Sequence, residues 1–141
     1  MKELKALNKR TAPKSVMPEK IIQFGEGNFL RAFVDWIIWN TDQKTDFNGS
    51  VVVVQPIERG MADWLNGQDC LYHVNLQGKE NGEPVNTLQR IDVISRALNP
   101  YSQNQAFMAL AEQPEIRFVI SNTTEAGIAY DDSCKFADAP A

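Results

Sequence analysis

Two glycines separated by one residue, set between an apolar run and an amphipathic stretch, constrain this chain more than any other feature. Lys20-Ile21-Ile22-Gln23-Phe24 is a short β-branched and aromatic segment that stops at Gly25-Glu26-Gly27. Such a segment predicts a buried strand. After the glycines, apolar residues fall at 29, 30, 33, 34, 37 and 38, which predicts a helix over 28–40 with one broad inward face, begun by Asn28 and ended by Asn40. A strand that turns sharply into a helix through Gly-x-Gly brings backbone close to whatever occupies the helix N-terminus. The free N–H groups and dipole there favour an anion. A tight turn that merely needs glycine's dihedrals gives the same residues, so the motif gains weight only from what surrounds it.

The surroundings are those of an α/β protein. Val51-Val52-Val53-Val54 is apolar on both faces, as in a parallel sheet covered on both sides. A short helix is expected over 61–66. A hairpin follows, with strands over 71–77 and 87–95 joined by a loose loop at 78–82. Asn99-Pro100 interrupts the chain, and a helix over 102–113 turns Phe107, Met108, Leu110 and Ala111 inward. Glu115 to Ser121 reads as another buried strand, running into Asn122-Thr123-Thr124. The order predicts a Rossmann-like, mostly parallel sheet with an inserted antiparallel hairpin and helices on both faces. Residues 1–19 read as a loosely packed lead-in, and residues 20–141 as one dinucleotide-binding domain.

Composition excludes several function classes. The net charge of −4 and the absence of a basic stripe argue against nucleic acid. No apolar stretch approaches a membrane span, and no signal peptide opens the chain. Cys70 and Cys134 are far apart and form no metal motif, which predicts reduced thiols and a cytoplasmic protein. His73 has no partner at a triad or metal spacing. No catalytic residue and no metal site is expected.

The chemistry therefore rests on cofactor binding. Arg31 stands in the first helical turn, where it adds a charge-assisted contact to phosphate. A carboxylate beside a pyrophosphate repels it, so Glu26 is expected to point to solvent or to the substrate side. At the end of the second strand a dinucleotide fold places its ribose reader. Gln55 occupies that position, Glu58 follows one turn on, and Arg59 offers a partner for a 2′-phosphate. The residues leave NAD against NADP open. Asn122 and Thr123 follow the last strand, where open α/β sheets place ligands, although a polar turn explains them equally well.

The blocks from Ile22 to Trp36, from Phe47 to Pro56 and from Ile120 to Ile128 together resemble the long-chain mannitol dehydrogenase family. The resemblance implies NAD as cofactor, held by Gly25, Gly27 and their neighbours Phe24, Glu26, Asn28, Phe29 and Arg31, with Asn122 and Thr123 along it. It also implies a hexonate substrate, in bacterial hexuronate breakdown. That family's catalytic signature, a Lys with downstream Asn and His on a helical second domain, has no counterpart in these residues. A truncated N-terminal domain, inactive alone and prone to self-association, is the expectation. A mannonate or polyol dehydrogenase domain and a non-catalytic nucleotide-binding module are the alternatives.

Overall fold

The computed structural model describes residues 5–123, 130 and 132–137. The expected contacts of Thr124, the end of the third resembling block and part of the C-terminal tail lie outside the described residues. β1 (Glu19–Phe24) and β2 (Ser50–Val54) form the centre of a four-stranded parallel sheet, ordered β5-β2-β1-β6. β5 (Ile94–Leu98) pairs with β2 on one side, and β6 (Phe118–Ser121) pairs with β1 on the other. The valine run is buried throughout, and successive side chains serve opposite layers. Val51 and Val53 join Ile21 and Ile38 in one core; Val52 and Val54 join Leu98 and Leu110 in the other.

The helices cover both layers as expected. A π-helical turn (Leu30–Val34) runs into α1 (Asp35–Lys44), which lies on the first core with α2 (Ala62–Gly67). α3 (Pro100–Met108) and a 3-10 turn (Ala109–Glu112) cover the second core, through Ala106, Phe107 and Leu110. Met108 and Ala111, expected inward, are exposed; Ala111 lies in the 3-10 turn, whose tighter winding breaks the helical phase. Pro100 does not break the chain so much as start α3, with the Asn99 side chain capping Tyr101 N.

The π turn also revises the face of the first helix. The Asp35 N–H donates to Leu30 O, one residue farther back than in an α-helix. The extra residue rotates everything after it by about a quarter turn. Leu30, Val34 and Ile38 face the core as expected and Asp35 joins them after the turn, with Arg31 also buried, while Phe29 (57% exposed), Phe33 (52%) and Ile37 (43%) stand on the surface. The helix also continues to Lys44 rather than stopping at Asn40.

Three further expectations change. β3 (Tyr72–Glu80) and β4 (Glu83–Ile91) are joined by a two-residue turn rather than a loose loop. Asn81 and Gly82 both take positive φ there, as a hairpin turn of matching twist requires. The chain then leaves the hairpin, so Ile94 and Ser95 belong to β5 in the parallel sheet. The lead-in is tied down rather than loose: Lys14 Nζ donates to Asp69 O (2.7 Å) and Ser95 O (2.8 Å), and Ser15 Oγ donates to Asp92 (2.8 Å). As a truncated sheet implies, β6 is an edge strand among the described residues, with Phe118 about half and Val119 two-thirds exposed. No helix among the described residues is long and apolar enough to cross a membrane.

Candidate cofactor-binding site

The sheet order makes the crevice between β1 and β6 the place where the chain's winding reverses. Open α/β sheets bind ligands there, beyond the carboxyl ends of the strands. Phe24 registers with Val54 on one side and Ser121 on the other. The glycine turn thus begins one step beyond β1, and Asn122 and Thr123, both exposed, begin one step beyond β6.

The conformation of the turn is set by what holds its carbonyls. Gly25 has φ +114°, open to glycine but not to other residues, and a Cβ there would stand 3.0 Å from Leu30 Cδ1. Gly25 N donates to Val54 O (2.9 Å), continuing the ladder. Gly25 O accepts from Gln23 Nε2 (3.1 Å), Glu26 O from Arg31 Nε (2.8 Å), and Gly27 O from Arg31 N (3.2 Å). A trans peptide points its N–H opposite its carbonyl. Three carbonyls held toward the protein therefore turn the N–H groups of Glu26, Gly27 and Asn28 away from it. A Cβ added at Gly27 would meet nothing within 4 Å. The turn is a row of outward amides facing open space at a helix N-terminus.

Arg31 has a different task from the expected one. Its side chain is buried, with Nε on Glu26 O, one terminal nitrogen on Asn28 Oδ1 (2.7 Å) and the guanidinium over the Tyr72 ring at 5.5 Å. It braces the turn from behind and adds positive potential there. Asn28 accepts from Arg31 instead of capping the helix with its side chain. Glu26 points neither to solvent nor to the substrate side: it is buried, and Oε1 accepts from Met61 N (3.3 Å). Phe24 lies in the second core, edge-on to Phe107 at 6.1 Å. Phe29 stacks on Phe33 at 5.4 Å, on the exposed surface.

Gln55 is also spent within the protein. It is 2% exposed, its Nε2 donates to Ile57 O (2.7 Å) and Glu58 O (3.0 Å), and its Oε1 accepts from Ala62 N (3.0 Å). A hydrogen bond to ribose would cost those contacts, so Gln55 shapes the loop while Glu58 and Arg59 on the loop are exposed. His73 is exposed beside a shallow cleft lined by Asn28, Arg31 and Tyr72.

Sequence reasoning passed over the group beneath the turn. Asp35 is fully buried; its Oδ2 lies 3.4 Å from Gln23 Nε2 and 3.2 Å from the Tyr72 hydroxyl. Burial pushes its carboxyl up from 3.8 to about 7, against the hydrogen bonds from Gln23 and Tyr72 and the nearby Arg31 charge. Burial, then the Asp35 charge, also raises the Tyr72 hydroxyl. The available signal was a glutamine flanked by Ile22 and Phe24 in an apolar strand. Polar groups in such places need partners.

Fold and turn together define a Rossmann-type nucleotide-binding domain. The mannitol dehydrogenase Rossmann domain matches residues 19–139, and the chain belongs to the mannitol dehydrogenase family. It is 76% identical over 138 residues to an altronate oxidoreductase of Phocaeicola vulgatus, and 51% identical over 139 residues to one of Escherichia coli. Both matches cover 98% of this chain, which spans 29% of the length of those relatives. Among solved structures, Pseudomonas fluorescens mannitol 2-dehydrogenase, in a ternary complex with NAD and D-mannitol, is similar with a TM-score of 0.68 at 25% identity. That likeness covers 86% of this chain and 27% of that one.

Proposed function

We propose that this domain binds NAD for an oxidoreductase that interconverts altronate and tagaturonate in the cytoplasm. The observation that carries the cofactor reading is the row of outward N–H groups at Glu26, Gly27 and Asn28, over open space at the head of a helix. A diphosphate takes that position, with Asn122 and Thr123 along the cofactor on the far side of the crevice. Gln55 positions the loop, and Glu58 is the acceptor for the adenosine ribose. Bound NAD supplies the hydride acceptor. The residues that move the substrate's proton belong to a second, helical domain outside these residues. The hexonate substrate is supported by 76% identity to an altronate oxidoreductase over nearly the whole chain.

Gly27→Val tests the cradle cleanly, because the side chain enters space that only a ligand needs. In the full-length protein, NAD affinity is expected to fall about a hundredfold, roughly 2.7 kcal/mol. The Michaelis constant for altronate should change far less, and the unfolding midpoint should stay within about 2 °C. Equal NAD affinity in mutant and wild type, by calorimetry, would remove the assignment.

The chain expressed by itself is expected to self-associate at micromolar concentration. The support is apolar exposure at the β6 edge, with Phe118 49% and Val119 66% exposed. The sequence places the contact at that edge or at the vacated domain interface rather than on the helix over 28–40; the exposed stripe Phe29, Phe33 and Ile37 makes that helix a second such surface. Sedimentation that returns a clean monomer counts against it.

A further inference from the structure

The cluster beneath the glycine turn contains more acceptors than protons. Tyr72 has one hydroxyl proton and stands 2.9 Å from Arg31 O and 3.2 Å from Asp35 Oδ2. If Asp35 is ionised, both neighbours are acceptors and Tyr72 can satisfy only one. Asp35 Oδ1 and Gln23 Oε1 are likewise buried without a hydrogen-bond partner. The orientation of Gln23 is fixed, since reversing its amide would set two oxygens against each other at Gly25 O. A proton on Asp35 settles the count at Tyr72: Oδ2–H donates to the Tyr72 oxygen, and the Tyr72 hydroxyl donates to Arg31 O.

This cluster is one side chain from the turn, because Gln23 Nε2 holds both Gly25 O and Asp35 Oδ2. A negative charge at Asp35 would oppose an anion on the outward amides. We propose that Asp35 is a positioning residue for the cofactor turn, neutral when the diphosphate is bound, so that NAD binding takes up a proton at this carboxyl. The inference rests on the reading of the turn as a diphosphate cradle. The groups facing Asp35 are Gln23 from β1, Tyr72 from β3 and Arg31 from its own helix, and the Arg31 charge favours ionisation. Burial opposes it more strongly and places the titration near neutrality.

The test is calorimetric titration of the full-length protein with NAD, in two buffers of different ionisation enthalpy, between about pH 5.5 and about pH 8.5. For wild type, affinity should fall on the order of tenfold across that range, with proton uptake on binding. Asp35→Asn should lose the pH dependence across that range and take up no proton. A wild-type affinity independent of pH overturns the inference and leaves the cradle standing. A slope that survives in Asp35→Asn assigns the proton to another group and also overturns it. If Asp35→Asn does not fold, Asp35→Ser replaces it in the same titration, and wild-type binding without proton uptake is fatal in either case. Failure of NAD to bind at any pH removes the cradle and this inference together.

Discussion

Gly60→Ala is expected to be the most disruptive alanine substitution among the described glycines. A Cβ there runs into Glu26 Oε1 and lies 2.5 Å from Gln55 Cδ and 2.6 Å from its Cγ. Glu26 could shift, but Gln55 is held by three hydrogen bonds in a buried position and has nowhere to go. Overpacking costs about 1–3 kcal/mol, and each strained hydrogen bond adds about 1 kcal/mol. A loss of about 3 kcal/mol follows, lowering the unfolding midpoint by about 10 °C for a domain of this size. Cofactor affinity should fall as well, because the same push displaces Glu26 within the glycine turn. Chemical denaturation with an unchanged midpoint would show that the loop is looser than its bonds imply.

The second large effect is on stability against pH. The Asp35 carboxyl titrates near 7 in the folded chain and near 3.8 when unfolded. Between those values the folded state binds the extra proton. The stability tied to the neutral acid is therefore complete below about pH 4, declines as pH rises, and is gone above about pH 7. Asp35→Asn stays uncharged at all pH but can make only one of the two Oδ2 hydrogen bonds, a fixed cost, so its stability relative to wild type should rise by up to a few kcal/mol between about pH 4 and about pH 8. The ceiling is about 4 kcal/mol for a shift of about three units. Urea denaturation of both proteins at the two pH values measures it. A difference that does not change with pH would mean that Asp35 is not the group that titrates.

The valine run and the glycine turn were legible because each is a local signal with one physical meaning. Four valines in a row are stable only when both faces are covered, and both are. The helix after the turn was legible in extent near its start and half right in phase, with Leu30, Val34 and Ile38 on the core and Phe29, Phe33 and Ile37 exposed. Periodicity assumes 3.6 residues per turn, and the π turn at Leu30–Val34 breaks that assumption. Arg31 and Asp35 thereby became buried, and a site composed of Gln23, Asp35 and Tyr72 could not be read from spacing. Gln55 was placed correctly at the end of β2, but its direction depends on the carbonyls of Ile57 and Glu58, which composition does not orient. The strand after Pro114 was found, whereas its edge position depends on the sheet order and not on its own residues.

That sheet order also schedules assembly. β2 follows β1 after one helix, and β5 closes on β2 after the hairpin, whereas β6 must return to β1 from the far end of the described chain. Long closures carry more entropy and come later. On a ribosome, where synthesis runs from the N-terminus, β1, β2 and β5 can pair before Phe118–Ser121 has been made. Among the described strands, the crevice wall that carries Asn122 and Thr123 is thus the last to pair. The glycine turn exists earlier, backed by Gln23 and Arg31, but it faces only half a cleft. NAD added to a refolding chain should accordingly leave the early steps at their own rate and capture the molecule only at the docking of β6.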